Sequence, residues 1–459
     1  MNYTLTIKHF LYIYLAAIII VSGSCSKFVD IDLPIDQVQT VTVFNDPEAA
    51  TAAIIGLYAQ LQTTNLSITN GGMTAYAGLT ADELHNTSSS TDLDAFYSNN
   101  IPSNNSTISS RFWSAAYKYI YHANRVIEGL AKSDKLSNET RLPIEAEARF
   151  IRAFIYHYMI NLFGDVPLIL TTNYKVNAVL PRTPVLEIKQ HILEDLLFAY
   201  KNLPVKPFAN NARPCKNTAA AFLARFYLFE GDWSKAMELS TEVINADDYQ
   251  LEASIENVFL LSSKETIWQI PKDAGNTVEG TTFVPTAAST SLPAYQITNS
   301  LITEFTSQDK RLLNWVNTKT VNNTTYYYPY KYKERTASPI TEGYIVMRLA
   351  EQYLIRAEAN LQLHKPNLAL IDLNEVRQRA GLTVLDITDT GTILSNIISE
   401  NRKEFFAEWG HRWFLLKRMG SINDILGSEK QGWKPSAALY PIPFTEINKN
   451  PFLVQNPGY

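Results

Sequence analysis

The sequence is poor in cysteine, with two cysteines among 459 residues. Secreted domains that depend on disulfides are far richer in cysteine, so a core of apolar side chains must stabilise this fold. Charged residues make up only 19%, the formal net charge is -5, and lysine and arginine form no local run. Because this charge balance provides no broad basic surface to neutralise phosphates, we do not expect a nucleic acid partner.

The sequence also lacks the common enzyme motifs. It has no Gly-x-Ser-x-Gly elbow, no glycine-rich phosphate loop before a helix, no His-Glu-x-x-His and no Cys-x-x-Cys. Glu408 and His411 have the Glu-x-x-His spacing of di-iron helices, but a di-iron bundle needs this element twice. We expect a structural pair there, with Arg412 nearby. Asp92-x-Asp94 lacks the glycine and distal glutamate of a calcium loop, so we expect neither metal nor cofactor.

The N-terminus has the pattern of an export signal. Lys8 and His9 precede an apolar run of about twelve residues, which is too short for the ~20 of a spanning helix, and Ser22-Gly-Ser then lead to Cys25. A cysteine in this place is typical of bacterial lipoprotein acylation, although Ser22 stands where Leu, Val or Ile is usual. The alternative is a secretory signal with an incidental cysteine. With Cys25 acylated, Cys215 is expected to be a packed thiol.

These features predict a signal peptide at residues 1–24, a lipid anchor with a polar tether at 25–42, and a single domain at 43–459. Asp46-Pro47 caps a first helix, and a polar stretch from Thr63 to about Ser109 reads as long loops. Helical periodicity resumes near Arg111 and continues through further segments. The fold class is therefore mainly all-α.

Two later segments look like copies of one helix pair. Ala224 and Ala236 in the first copy have the same separation as Ala357 and Ala369 in the second. Small residues at matching offsets are typical of tetratricopeptide-like scaffolds, in which paired helices approach closely and neighbours complete the core. Between the copies, periodicity fails across 249–342, except for a strand-like run at Thr266–Ile270. We read that region as a large, loop-rich insertion, ordered because it is rich in aromatic residues.

Several blocks together resemble the SusD-like (SusD/RagB) family of nutrient-binding lipoproteins from Bacteroidetes. They occur in the family's order and span nearly all of the mature chain: 145–154 with 163–168, 221–228 with 231–233, 347–359, 401–413, and 439–443 with 456–459. The resemblance implies a scaffold of four tetratricopeptide-like helix pairs and a glycan site in the loops. It also implies a SusC-like TonB-dependent transporter as partner, a place on the outer membrane facing the cell exterior, and no catalysis. Because some such transporters import peptides, a peptide-binding lid is the alternative.

Most of the charged and aromatic residues in these blocks are expected to be structural. Five arginines lie beside four glutamates on the predicted helices, which favours ion pairs between helix faces: Arg149, Arg152, Arg225, Arg348 and Arg356 with Glu145, Glu147, Glu351 and Glu358. Trp113, Trp233 and Trp413 lie within apolar helical patterns. We expect these three rings in the core.

The binding prediction falls on the two loop regions, where aromatic faces can stack on sugar rings and polar side chains can pair with hydroxyls. The candidates are Tyr76, Asp82, Asn86, Phe96 and Tyr97 in the first region, and Tyr295, Trp315, Tyr326, Tyr327 and Tyr328 in the insertion. For any single aromatic, packing of its loop onto the scaffold is slightly favoured. Trp315 and Tyr327 are the preferred pair because their flanks are polar. Accordingly, Trp315→Ala is expected to weaken binding and leave stability unchanged.

Two or three stacking contacts and a few hydrogen bonds sum to about 4 to 6 kcal/mol, a dissociation constant of order 0.1 to 1 mM. Another hypothesis is a loop-site glycosidase, because the separation of two carboxylates cannot be read from sequence. Its candidate carboxylates are Asp82, Glu83, Asp92 and Asp94.

Overall fold

The computed structural model describes residues 43–270, 275–286 and 290–459. Cys25 and the expected signal and tether lie outside these residues. Nine longer helices of the described part form its scaffold: α1 (Pro47–Gln60), α4 (Ala115–Lys132), α5 (Asn138–Phe163), α7 (Val185–Asn202), α8 (Lys216–Glu230), α9 (Trp233–Ile244), α13 (Leu349–Gln362), α14 (Pro366–Arg379) and α15 (Thr390–Phe405).

Shorter elements fill the connections between the scaffold helices. The short helices are α2 (Gly72–Thr80), α3 (Thr91–Tyr97), α6 (Tyr174–Asn177), α10 (Val278–Phe283), α11 (Asn299–Ile302), α12 (Lys310–Asn314), α16 (His411–Arg418), α17 (Ile422–Glu429) and α18 (Phe444–Lys449). The strands are β1 (Leu84–Asn86), β2 (Thr266–Ile270), β3 (Tyr295–Ile297), β4 (Val316–Val321), β5 (Thr324–Pro329) and β6 (Tyr344–Arg348). A π-helix at Ile108–Ser114 leads into α4.

Local sequence sets the helix ends where it was expected to. The Asp46 carboxylate accepts the Ala49 amide at 2.7 Å and starts α1, with Pro47 in its first turn. Gly231 ends α8 in the left-handed conformation (φ 74°), and Asp232 caps α9 by accepting the Lys235 amide at 3.1 Å. Pro366 begins α14. The predicted helix-turn-helix units are therefore confirmed.

The scaffold helices pack in consecutive pairs, α1 with α4, α5 with α7, α8 with α9, and α13 with α14. Each pair also contacts the next one, and α15 covers the last pair. The small residues Ala224, Ala236, Ala357 and Ala369 are all fully buried, which allows the helices this close approach. The mainly α-helical, tetratricopeptide-like scaffold is thus confirmed.

The first polar stretch, 63–109, is only partly loop, and the prediction of long loops is wrong for α2 and α3. Every residue of α2 is buried, so its sequence carries no alternation of polar and apolar faces. The insertion does contain the predicted strand, as β2, paired antiparallel with β6. It also contains the β4–β5 hairpin and several single-turn helices. Its aromatic residues are largely packed inward.

Cys215 is buried without a disulfide, and its Sγ lies 3.4 Å from the Tyr249 hydroxyl, as expected for a packed thiol. Trp113 and Trp413 are buried in the core, and Trp233 packs against it. Across the part of the chain that the structure describes, no helix has the length and apolarity needed to cross a bilayer.

Candidate functional site: a cleft between the two loop regions

The two loop regions meet through a short antiparallel strand pair. β1 and β3 pair with His85 opposite Gln296 and Asn86 opposite Tyr295, and β5 packs beside β3. The predicted first region and the insertion are therefore brought together, although more than 200 residues separate them in the chain. Along the outer side of this pair runs an open cleft enclosing about 670 Å³, here called the loop cleft.

The loop cleft is lined mainly by uncharged polar side chains and one aromatic face. Its lining residues are Asp82, His85, Tyr97, Gln296, Ile297, Thr298, Asn299, Ser300, Glu429 and Lys430. Asn299 and Glu429 are exposed, while His85, Tyr97, Gln296 and Ser300 are half-buried. Such a surface offers several hydrogen-bond donors and acceptors around an accessible ring.

Tyr97 is fixed in place from two sides. The His85 ring meets it edge-on at 4.5 Å between centroids, and the Lys430 ammonium lies 5.0 Å from the Tyr97 ring centroid. Lys430 donates to the carbonyls of Leu79 and Tyr97, so its amine is already engaged within the protein. Burial lowers the pKa of Lys430 to about 7, against a weaker opposing effect of the Asp82 charge.

The floor of the cleft is an ion cluster that joins it to the helical scaffold. Arg412 donates two hydrogen bonds to the Asp82 carboxylate, both at 2.8 Å, and Arg402 contacts the same carboxylate at 2.8 Å. Arg402 also donates to the Ser300 hydroxyl at 3.1 Å. Burial opposes ionisation of Asp82, but the two arginines outweigh it and hold its pKa below the ordinary value.

The neighbouring Glu83 behaves in the opposite way. It is only 1% exposed, and burial together with the Asp82 charge raises its pKa to about 8. At neutral pH the two adjacent acids therefore differ in protonation. Glu83 accepts the Ala407 amide at 3.4 Å and does not line the loop cleft.

The other carboxylates of the glycosidase hypothesis have structural partners too. Asp92 accepts from the Asn105 amide at 2.6 Å and the Thr107 hydroxyl at 2.8 Å, and Asp94 accepts from Asn86 at 2.6 Å. These bonds hold helix α3, which carries Tyr97. In the described residues, no group of three His, Cys, Asp or Glu side chains is arranged to hold a metal ion.

Several predicted ligand residues lie beneath the cleft. Tyr76 and Phe96 pack at 4.5 Å between ring centroids, Tyr295 packs edge-on against Phe283, and all of these rings are buried. Asn86 is also buried, bonded to Asp94. In this structure these residues support the cleft and offer no surface to a ligand. Of the predicted residues in the first loop region, Tyr97 alone combines an accessible ring with a place in the cleft lining.

The expected exposure of Trp315 is wrong. Its side chain is 1% exposed, its indole nitrogen donates to the Ile255 carbonyl at 3.1 Å, and the Phe259 ring meets it at 5.5 Å. Cations surround the indole, with the Lys331 ammonium 4.6 Å and the Arg348 guanidinium 5.6 Å from the ring. The polar flanks suggested exposure, but the neighbours that bury this ring are distant in sequence.

These cations belong to a buried group that we call the charge cluster. It consists of Glu265, Asp309, Arg311, Lys331, Arg348, Arg379, Glu400, Glu404 and Glu408. Arg348 is bonded to Glu265 and Glu408 at 2.9 Å and also to Glu404. The cluster ties the insertion to α14 and α15, so ion pairing of Arg348 is confirmed with partners that the sequence did not predict.

The remaining ion-pair predictions hold in part. Arg149 pairs with Glu145 and Arg225 with Glu351, whereas Arg152 pairs with Asp195 and Arg356 with Asp372. Glu147 pairs with Arg213 and Glu358 with Arg418.

The expected side-chain pair of Glu408 and His411 is wrong. Glu408 binds Lys331 and Arg348, while the His411 ring stacks on Phe405 at 4.5 Å. Burial lowers the pKa of His411 to about 3, so the ring is neutral at physiological pH. Arg412 points to Asp82 instead.

The tyrosine run of the insertion forms one strand of the β4–β5 hairpin. Tyr326 and Tyr327 are half-buried, with Tyr327 packed against the core, and Tyr328 is buried. Since β5 contacts β3, the hairpin that carries Tyr326 and Tyr327 lies next to the strand pair of the loop cleft. Their roles in binding stay predictions.

Sequence reasoning missed His85, Gln296, Asn299, Ser300 and Lys430, which line the cleft. A signal existed for the first four, because they occupy or directly follow the short runs that become β1 and β3. Lys430 gave none, since α17 brings it to the cleft from the far end of the chain.

Comparison with known proteins agrees with this architecture. Residues 311–459 match the family model described as the SusD family, and residues 27–228 match one described as "Starch-binding associating with outer membrane". SusD-like protein P2 of Formosa agariphila is 30% identical over 417 residues, covering 76% of this chain and 80% of the relative. This chain belongs to the SusD-like family.

Three further similarities are informative. The starch-binding protein SusD of Bacteroides thetaiotaomicron is 36% identical over 124 residues, covering 25% of this chain and 21% of that protein. A surface glycan-binding protein A from the same organism, solved with laminarihexaose, superposes with a TM-score of 0.77 at 20% identity, covering 89% of this chain and 99% of that one. A SusD superfamily structure from Bacteroides vulgatus superposes with a TM-score of 0.80 at 20% identity, covering 90% of this chain and 99% of that one. At these identities the structures establish the fold of the SusD-like chain.

Proposed function

We propose that this SusD-like protein binds glycan in the loop cleft and is not an enzyme. The observation that carries the proposal is the β1–β3 pairing, which places an accessible aromatic ring beside neutral hydrogen-bonding side chains in an open groove. Sugar rings stack their C–H faces on aromatic rings, while amides and hydroxyls bond the sugar hydroxyls. Tyr97 would supply the stacking face, and His85, Gln296, Asn299 and Ser300 the hydrogen bonds.

The charges of the cleft favour an uncharged glycan. Both cations nearest the floor, Arg402 and Arg412, are paired with Asp82, and the Lys430 amine is bonded to two carbonyls. The exposed Glu429 would repel uronate or sulfate groups. Neutral poly- and oligosaccharides are therefore the expected ligands.

The ion pairs of Asp82 also argue against hydrolysis. A general acid must be protonated near the working pH, whereas the Asp82 pKa lies below its ordinary value. The raised pKa of Glu83 would suit an acid, but its carboxyl is buried away from the cleft. Binding without turnover fits this arrangement.

The proposal extends to the setting of the protein. A lipid on Cys25 would hold it on the outer membrane facing the exterior, and a SusC-like TonB-dependent transporter would receive the bound glycan. A binder held on its transporter presents ligand at high effective concentration, so an affinity of order 0.1 to 1 mM would suffice. Family membership and the N-terminal sequence pattern support this setting.

The test is calorimetric titration of the purified protein with neutral glucans, mannans and xylans, beside uronate-rich and sulfated polysaccharides and a peptide library. We expect saturable binding of at least one neutral glycan and no turnover. The cleft variant His85→Ala/Gln296→Ala should lose that binding, whereas Tyr174→Ala, at an exposed ring on α6, should retain it. Binding only to peptides would replace glycan with peptide as the ligand class, and binding unaffected by the cleft variant would refute the site.

The anchor has its own test in cell fractionation. Cys25→Ala should release folded, glycan-competent protein from the membrane fraction and abolish uptake. Co-purification of a TonB-dependent barrel with the anchored protein is the expected result for the partner. Membrane retention of the variant would show that Cys25 is not the anchor.

A further inference from the structure

The solvent-facing side of α4 carries a basic stripe. Lys118, Tyr121, Arg125 and Lys132 are exposed and recur at spacings that place them on one side of the helix. Among the described residues, neither Lys118 nor Arg125 forms an ion pair with a carboxylate. Burial, and to a lesser extent the charges of Lys118 and Arg125, lower the pKa of His122, which lies between them.

At the N-terminal end of this stripe lies an apolar groove enclosing about 870 Å³, part of it open to solvent. Its apolar lining comes from the π-helix before α4, from α4 itself, from the segments after α5 and α6, and from the C-terminal segment: Trp113, Tyr117, Pro167, Ile169, Ala178 and Leu453. Polar residues complete the lining, and the one carboxylate among them, Glu446, is paired with Lys449 at 2.8 Å. Val179 and Phe452, each next to a lining residue in sequence, are more than half exposed. An open apolar groove beside a basic stripe is typical of a binding surface.

The described chain begins on this same face. The Phe44 ring packs directly on Gly129 of α4, where a Cβ atom would come within 2.1 Å of it. Gly129 lies one turn beyond Arg125, so the residues before Phe44 enter the described part of the protein next to the basic stripe.

The chain that precedes Phe44 has a matching pattern. In the sequence Val-Asp-Ile-Asp-Leu-Pro-Ile-Asp at 29–36, apolar residues alternate with aspartates, interrupted only by Pro34. In an extended conformation this alternation places Val29, Ile31, Leu33 and Ile35 on one side and three aspartates on the other. Sequence pattern alone suggested a polar tether here, but such a segment has an apolar side to bury.

The chain before Phe44 is also long enough to reach the groove along α4. Gly129 and Tyr117 are twelve residues apart on α4, about 18 Å along the helix axis. The seven residue-to-residue steps from Asp36 to Val43 cover up to about 23 Å when extended. A chain that leaves Phe44 and follows the stripe therefore reaches the groove with Ile35 and the residues before it.

We propose that residues 29–35 of this same chain dock in the α4 groove, with the apolar side on Trp113 and Tyr117 and the aspartates against Lys118, at the groove end of the basic stripe. The proposal does not depend on glycan binding. If Cys25 carries lipid, only Ser26, Lys27 and Phe28 remain free between the anchor and the docked segment, about 10 Å of chain. The body would then stand close to the membrane in a set orientation and would not swing on a long tether.

Zero-length carbodiimide coupling followed by peptide mass spectrometry tests this docking, because it joins only carboxylates and amines already in contact. The full-length protein, purified in detergent from its own host, is used. We expect Asp30, Asp32 or Asp36 to couple to Lys118 at least five-fold more than to Lys201, an exposed lysine on α7. Lys118→Arg should remove this product and retain the charge.

A pair of variants separates docking from chance contact. Ile31→Ser/Leu33→Ser, on the apolar side, should reduce the Lys118 product at least five-fold, whereas Gln37→Ser/Gln39→Ser should leave it unchanged. Equal coupling to Lys118 and Lys201, or no effect of the apolar-side variant, overturns the proposal. Coupling found only in species of dimer mass also overturns it, since the groove would then hold the segment of a second copy.

Discussion

The charge cluster and the loop cleft are both built from aromatic rings and charged side chains, yet they have opposite relations to solvent. In the cluster, Trp315 and Arg348 are each 1% exposed, and every charge is met by another within the protein. In the cleft, Tyr97 and Gln296 keep accessible faces, and Glu429 is exposed to solvent, while Asp82 and its arginine partners lie at the floor. An aromatic residue between polar neighbours is therefore equally compatible with a binding face and with the centre of a buried ion network.

Asp82 connects the loop cleft to the charge cluster. Its carboxylate lies on the cleft floor, but its partners Arg402 and Arg412 come from the segment 401–413, which also supplies Glu404 and Glu408 to the charge cluster. The scaffold thereby holds the binding loop through charge-assisted hydrogen bonds. The comparison predicts that substitutions in the charge cluster lower the stability of the fold, and that substitutions in the loop cleft lower the affinity for glycan.

The largest effect is expected from Arg348→Met. This change leaves Glu265, Glu404 and Glu408 buried without their shared cation, and removing one member of a buried ion network costs about 3–5 kcal/mol. We expect the free energy of unfolding, measured by urea denaturation, to fall by about 5 kcal/mol. Lys201→Met, at an exposed lysine, should change stability by less than about 0.5 kcal/mol. A loss below 1 kcal/mol for Arg348→Met would mean that the cluster does not hold the fold.

The second-largest effect is expected from Trp315→Ala, which should lower the free energy of unfolding by about 4 kcal/mol. The substitution leaves a cavity at the buried indole and removes its hydrogen bond to the Ile255 carbonyl. This reverses the expectation drawn from its polar flanks. Glycan affinity, measured well below the unfolding temperature, should stay within two-fold of the parent. A several-fold loss of affinity in a protein of unchanged stability would instead restore Trp315 as a ligand platform.

The helical scaffold was readable from sequence, because caps such as Asp46 and Gly231 and small residues such as Ala224 act over one or two turns. For the cleft, the sequence predicted the two loop regions but not how they come together. Its assembly depends on contacts between residues hundreds of positions apart, such as Arg412 with Asp82. The buried helix α2 was missed for another reason, since a segment buried on all sides shows no amphipathic period.

Asp82→Asn tests this connection between the loop cleft and the charge cluster. The amide keeps the shape of the carboxylate but removes the charge that Arg402 and Arg412 share, so we expect a loss of about 2 kcal/mol. Because this residue shapes the cleft floor, affinity should also fall a few-fold, and both losses should appear in the same protein. Sugar turnover by the parent that vanishes in this variant would contradict the binding role and favour a glycosidase. Glu429→Gln, on the exposed rim, is the matched control and should leave stability unchanged.

The smallest and most specific effect is expected from Tyr97→Ala. Losing one stacking face costs about 0.5–1.5 kcal/mol of binding, a roughly two- to twelve-fold weaker dissociation constant. Because the ring is only half-buried where it packs against the core and meets His85 and Lys430, stability should fall by about 1 kcal/mol. Titration of Tyr97→Ala beside Tyr326→Ala and Tyr327→Ala would show how far the ligand extends towards the hairpin, since each ring in contact should give a loss of this size. Unchanged affinity in Tyr97→Ala, with a loss in either hairpin variant, would move the sugar-stacking face from α3 to β5.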